Sequence, residues 1–275
     1  MDTEEAVAQH YTHGSLEQTI LDALTQSGKD PDKLAPADLA PVDELHIGGL
    51  QATAEVASGM KAATGQHLLD VGCGIGGPAR FFAQERGCRV TGIDLTEDYV
   101  RVANALSKRV GLNDRASFRR GSALDLPFAG KSFDGAYMLH VGMNIQDKAR
   151  LFSEVRRVLK PNAAFAVYDA MRDAGEGELG FPVPWASRPD HSFVESAAAY
   201  ARLLEAAGFT IEKTRNRRDA ALEFFHGMRA NAAAGPAPLG PHIVLGASTP
   251  QMFASVVDGL ERGLVAPVEI IARAV

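Results

Sequence analysis

Alternating glycines follow a carboxylate in the stretch HLLDVGCGIGGPAR, from His67 to Arg80, and this is the part of the chain best suited to chemistry. The apolar run closing on Asp70 predicts a strand, and Gly72, Gly74 and Gly76 turn the backbone into a helix. Glycine adopts positive φ and lets a ligand lie against the main chain, while the start of the following helix offers unpaired N–H groups. That is a nucleotide site for which two cofactors compete. Taken as Gly72, Gly74 and Gly77, the letters satisfy the G-x-G-x-x-G dinucleotide fingerprint. Asp70 weighs against that choice. A dinucleotide sets an anionic pyrophosphate at the helix N-terminus, where a nearby carboxylate repels it. S-adenosylmethionine has a sulfonium and an ammonium group and no phosphate, so an acid in the turn complements its charge.

The neighbouring segments add to this. The stretch VTGID, Val90 to Asp94, predicts a second strand ending in an acid. A carboxylate there accepts hydrogen bonds from ribose hydroxyls in either cofactor class. Further on, Gly121 to Phe128 precedes Ser132-Phe133-Asp134, and Arg157 to Pro161 precedes another apolar run. D-x-G-x-G-x-G after an apolar strand resembles the first motif of the class I methyltransferases. The order of segments resembles the family that includes the ubiquinone and menaquinone C-methyltransferases and the sarcosine/dimethylglycine N-methyltransferases. The similarity is greatest to the latter, through HIGGLQAT (46–53), CGIGGPARF, VTGIDLT, MNIQDK (143–148) and PVPWA (182–186). It covers nearly the whole chain, and its motifs are specific for the cofactor but not for the substrate.

This resemblance implies S-adenosylmethionine as cofactor, with Gly72, Cys73 and Gly74 lining its methionine end and Asp70 orienting the ammonium group. It places Asp94 on the ribose, Leu95 on the adenine, and Ser122 and Ala123 at the adenine edge. The family commonly has Asp where this chain has Ser122, so a charge-assisted bond is lost there. His140 closes the fourth strand at the crevice edge, either as a backbone-bonded structural histidine or as a group facing donor and substrate, including as a base. Met143 and Asn144 share its loop, and Asn144 could equally shape that loop. His46 and Tyr11 fall in segments that cover the active site in relatives, with chance exposure and core packing as the competing accounts. Trp185, the only tryptophan, could form a wall or a cation–π surface, or simply pack in the insertion.

Methyl transfer from a sulfonium needs alignment and exclusion of water more than metal or covalent catalysis. No His/Cys/Asp grouping has metal-site spacing, so no metal is expected. An oxygen or carbon nucleophile would need a base near neutral pH, whereas an amine needs only to arrive unprotonated. The expected function is therefore methyl transfer to a small-molecule acceptor, with N-methylation of an amine ahead of O- or C-methylation. Two alternatives stand beside it: an NAD(P)-dependent oxidoreductase and a non-catalytic sensor that binds the donor. The first lacks a Tyr-x-x-x-Lys pair, since none of Tyr11, Tyr99, Tyr137, Tyr168 and Tyr200 has lysine four residues on.

The elements that must position these residues fall into three parts. Residues 1–64 read as a helical N-terminal lid segment, with a capping-box signal at Ser15 and Gln18, breaks at Pro31, Pro36 and Pro41, and a helix from about Gly49 to Ala63. From 65 to 275 the pattern is a donor-binding domain, with strands near 67–71, 89–94, 116–120, 134–140 and 163–169 alternating with helices. Lid insertions are expected at about 170–193 and 218–262, and two closing strands at Phe209 to Lys213 and Val268 to Ala274. The expected class is α/β, a Rossmann-like seven-stranded methyltransferase sheet with a lid between its later strands.

Composition agrees. The 275 residues are 46% hydrophobic with a net charge of −6, which disfavours nucleic acid as a partner. The one basic cluster, Lys213 to Arg218, reads as a solvated strand end or loop. Two cysteines, Cys73 and Cys88, make no disulfide framework and suit a reducing cytoplasm. No secretory signal or membrane-length apolar run is visible, so a cytoplasmic protein without membrane association is expected.

Overall fold

A computed structural model of the chain describes residues 15–232 and 237–275. Seven strands form one sheet in the order β3-β2-β1-β4-β5-β7-β6. They are β1 (His67–Val71), β2 (Arg89–Asp94), β3 (Ala116–Arg120), β4 (Phe133–Leu139), β5 (Leu159–Arg172), β6 (Phe209–Asn216) and β7 (Val265–Ala274). The first five are parallel, and β7 runs antiparallel between β5 and β6. Central β4, β5 and β7 are buried along most of their length, which explains their continuous apolar runs. Edge strand β3 alternates buried and exposed instead. This is the expected seven-stranded α/β sheet, including its antiparallel closing pair.

The order reverses between β1 and β4, because the chain winds outward through β2 and β3 before returning to β4. A crevice opens at such a switch point, beyond the carboxyl ends of the strands. The turn after β1 carries the glycines, and the residue after β4 is His140. Both halves of the expected site are therefore adjacent by topology.

The crossover helices are α4 (Gly77–Glu85), α5 (Glu97–Arg109) and α6 (Lys148–Val158). Asp147 caps α6 by accepting from the Arg150 N–H at 2.9 Å. Before β1 come α1 (Leu16–Gln26), α2 (Pro36–Asp43) and α3 (Gly49–Gly59). The expected capping box at Ser15 does not form, because the Gln18 amide donates to Asp22 at 2.8 Å instead. Helix α3 ends at Gly59, earlier than expected, and Lys61 then adopts φ 56°.

After β5 the chain forms α7 (Ala197–Ala206), α8 (Arg218–Ala232), the short α9 (His242–Leu245) and α10 (Thr249–Glu261). Trp185, Phe225, Val256 and Val257 join Ile47 and Met143 in one apolar cluster. The basic run near 213–218 is not a solvated end. Arg215 pairs with the fully buried Glu269 at 2.6 Å, and Arg217 pairs with Glu55 of α3. The pairs with Glu55, which Arg215 also makes, tie the edge of the sheet to the N-terminal segment.

Candidate functional site

A cavity of about 430 Å³ lies at the switch point, a volume typical of small-molecule sites. Its lining brings together Asp70, Gly72, Cys73, Gly74, Asp94, Leu95, Ala123, His140, Met143, Asn144, His46 and Trp185. Ser122 is not in the lining, and its hydroxyl oxygen accepts from the Leu124 N–H at 3.0 Å. The lining at that turn comes from Gly121, Ala123 and Leu124. Tyr11 lies outside the described residues.

The glycine turn is shaped by close packing. Gly72 has φ 73°, and a Cβ there would overlap the side chain of Val141, next to His140. A Cβ on Gly74 (φ 51°) would meet nothing within 4 Å, so the main chain there has open space beside it. The Gly74 N–H donates to Asp94 at 2.9 Å, and the Thr96 N–H donates to the other carboxylate oxygen at 2.9 Å. The Thr96 hydroxyl and the Leu95 N–H also face this carboxylate, which holds it at the end of β2. Gly72→Ala should therefore cost about 1–2 kcal/mol from its backbone angle alone, with the Val141 overlap added. Melting curves with S-adenosylhomocysteine check this: the ligand shift should vanish in Gly72→Ala and partly return in Gly72→Ala/Val141→Ala.

Asp70 is 2% exposed, and its Oδ2 has no hydrogen-bond partner among the described residues. Burial, aided by the Asp94 charge, pushes its carboxyl up to about 8. A buried polar atom without a partner calls for an explanation, and at the wall of a cavity a bound ligand supplies one. A cation beside it would restore the charged form, which is what the ammonium and sulfonium of S-adenosylmethionine supply. The residues fit that group: a buried acid with one unpartnered oxygen, a glycine main chain with free space, and a second acid at the end of β2.

His140 closes β4 with φ 55°, a left-handed conformation that turns its ring toward Tyr168. Its N–H and its Nδ1 both bond the Tyr168 carbonyl, at 2.7 and 3.2 Å. Nδ1 must carry a hydrogen to do so, which leaves Nε2 as an acceptor without a partner. Burial, with His46 nearby, pushes the imidazole down to about 3, so it stays neutral. The ring is thus backbone-bonded at one nitrogen and unpartnered at the other. His46, 5% exposed, is held by the Gly49 carbonyl at 3.0 Å and pushed by burial down to about 4. The Thr53 hydroxyl beside it donates to Glu44 at 2.7 Å.

The His140 loop continues through a 3₁₀ turn, Gly142–Asn144, resting on a buried polar cluster. The Tyr200 hydroxyl donates to Asp169 at 2.7 Å, and Lys148 donates to the Ile145 and Phe193 carbonyls. A Cβ on Gly142 would meet both Asp169 and the Tyr200 hydroxyl, so glycine is required there. The turn buries Asn144 with its Oδ1 unpartnered. Trp185 is fixed by its indole N–H, which donates to the Ser192 hydroxyl at 2.9 Å.

Several cavity residues escaped sequence reasoning. Phe224, Phe225 and Met228 of α8, Phe253 and Val256 of α10, and Glu44 all line it. The signal was an aromatic pair and a helical apolar stripe in two expected helices, but periodicity does not say what such a stripe faces. Glu44 gave no signal in the sequence.

Comparison with known proteins agrees with this geometry. Residues 69–167 match the family model described as a methyltransferase domain. The O-methyltransferase resE of Aspergillus sclerotiorum is 33% identical over 137 residues, covering 50% of this chain and 52% of that protein. The chain spans between about a third and a half of the length of the first curated relatives it matches. Among solved structures, geranyl diphosphate C-methyltransferase from Streptomyces coelicolor A3(2), in complex with Mg²⁺, geranyl diphosphate and S-adenosylhomocysteine, superposes with a TM-score of 0.72. It is 18% identical and covers 100% of this chain and 98% of its own. The [4+2]-cyclase SpnF superposes at 0.68 with 24% identity, covering 99% and 97%. Residues 69–167 are therefore similar to a methyltransferase domain, and the match with those structures shows the fold of the chain. No described helix is long and apolar enough to cross a membrane.

Proposed function

We propose that the protein transfers a methyl group from S-adenosylmethionine to a small-molecule acceptor. The observation that carries this reading is the orphaned, buried Asp70 at the mouth of a glycine turn, in a cavity that continues into an apolar chamber. When bound, the donor supplies an electrophilic methyl on a cationic sulfur. Asp70 takes the ammonium end, Asp94 the ribose, Leu95 and Ala123 the adenine, and the main chain of Gly72 to Gly74 the methionine. The Ser122 hydroxyl shapes the turn that carries Ala123. The segment around Trp185 and helices α8 and α10 serve as a lid that excludes water. Asn144 and Met143 border the reacting atoms.

The acceptor's nucleophile meets the open Nε2 of His140. For an amine, which the resemblance to the sarcosine/dimethylglycine enzymes implies, the histidine holds an N–H in line. For a hydroxyl it also takes the proton, because an alkylated oxygen is far more acidic than an imidazolium held near 3. The unpartnered neutral nitrogen thus favours a hydroxyl as the second reading.

Transfer of a labelled methyl group from the donor, followed across small lipophilic alcohols, phenols and amines, tests the proposal. Label should leave the donor and enter an acceptor with equal formation of S-adenosylhomocysteine. Conversion of an acceptor without any release of that product would favour a cyclase or sensor. With a hydroxyl acceptor, His140→Ala should lower kcat by about 10²–10⁴-fold. Because the wild-type imidazole is neutral above about 3, its contribution should stay flat from pH 8 down to about 5 at saturating donor. A fall in kcat centred near the ordinary histidine value would contradict the role given to this residue.

A further inference from the structure

We infer that the acceptor is a lipophilic molecule carrying no phosphate or carboxylate, an inference that rests on the methyl-transfer reading and sharpens it. The chamber beyond His140 is walled by Trp185, Phe225, Met228, Phe253 and Ile47. Phe225 and Phe253 meet edge to face with centroids 5.5 Å apart. Such walls bind apolar bodies through their buried area.

Among its ionisable side chains the cavity presents acids and imidazoles. Asp43, Glu44, Asp70, Asp94 and Asp147 line it, together with His46 and His140, which burial keeps neutral. No lysine or arginine is among the described lining residues, and residues 1–14 and 233–236 contain neither. The two buried cations nearby are committed elsewhere. Arg80 bonds Asp43, Ser107 and the Ile75 carbonyl, and Lys148 bonds two carbonyls beneath the 3₁₀ turn. An anionic headgroup would therefore enter a desolvated site with no free counter-ion to offset the loss of hydration. A neutral hydroxyl meets no such penalty, an ammonium group finds acids rather than cations and can shed its proton on entry, and both meet acceptors at His140 Nε2 and Asn144 Oδ1.

The single tryptophan lines the chamber, so its emission reports occupancy directly. Protein saturated with S-adenosylhomocysteine, confirmed by calorimetry, is titrated at neutral pH with 1-octanol, octylamine, octanoate and octyl phosphate. Octanol and octylamine should shift Trp185 emission saturably, and the two anions should bind at least about tenfold more weakly. Met228→Lys, which adds a cation to the wall, should narrow that gap by favouring octanoate. Octanoate or octyl phosphate binding within threefold of octanol, with or without millimolar Mg²⁺, would overturn the inference, as would no response to any of the four. Failure of S-adenosylhomocysteine to bind at the first step would instead strike the methyl-transfer reading.

Discussion

Asp70→Asn should weaken S-adenosylmethionine binding by about 10–100-fold, the range expected when a hydrogen bond to a charged group loses its charge. The same change should stabilise the ligand-free protein. Asp70 is buried and its Oδ2 is unpartnered, so the amide removes an ionisable group the free fold does not favour as an anion. A gain of about 1 kcal/mol corresponds to roughly 2–4 °C in Tm for a chain of this size. Opposite signs for binding and stability mark a residue kept for its ligand.

The pH dependence follows from the same carboxyl. Its folded pKa, about 8, lies above the ordinary 3.8, so the free fold holds an extra proton between those values. Its contribution to stability is present below the ordinary value and is lost as pH rises through 8. Donor binding runs the other way, since the cation needs the anion and releases that proton. Affinity should climb by up to about tenfold per pH unit toward 8 and then level off, a rise that Asp70→Asn should abolish. Calorimetric titration of both proteins from pH 6 to 9 checks this.

Arg80→Met should cost about 3–5 kcal/mol of stability, the loss typical when one partner of a buried ion pair is removed. Arg80 is 1% exposed, and its Nη2 donates to Asp43 at 2.8 Å and to the Ile75 carbonyl at 2.7 Å. It therefore joins helix α2, the glycine turn and α5, where it also reaches Ser107 at 3.1 Å. Without it, Asp43 is left buried with no partner, and burial already pushes its carboxyl upward. Asp43→Leu/Arg80→Met should recover much of the loss. Urea unfolding of the three proteins measures this, and additive single-variant losses in the double variant would show that the pair does not act as a unit.

Much of this site was legible because its residues sit where local sequence dictates geometry. The glycine turn follows an apolar strand, and a parallel sheet puts the ends of β1 and β4 side by side at the switch point, so Asp70 and His140 could be placed together once the resemblance supplied the strand order. Asp94 followed from the end of the next strand. Long-range contacts were not legible. Arg80 reads as one more charged residue of a helix, and nothing nearby in the sequence announces Asp43, which lies 37 positions earlier. The run from Lys213 to Arg218 reads as solvated until Glu55 and Glu269 are seen to meet it. The chamber walls from α8 and α10 carry the same stripes as any packed helix, and only the fold turns Phe225, Met228 and Phe253 toward the donor crevice. Ser122, read by resemblance as lying at the adenine edge, has a hydroxyl oxygen that accepts from the Leu124 N–H of its own turn, a local bond that the resemblance did not announce.

The central claim is that the cavity beside Asp70 holds S-adenosylmethionine rather than a dinucleotide. Parallel calorimetric titrations of the wild-type protein with S-adenosylhomocysteine and with NADH test it most directly. We expect one saturable site per chain for S-adenosylhomocysteine and no binding heat for NADH. Saturable binding of NADH, with none of S-adenosylhomocysteine, would contradict the account.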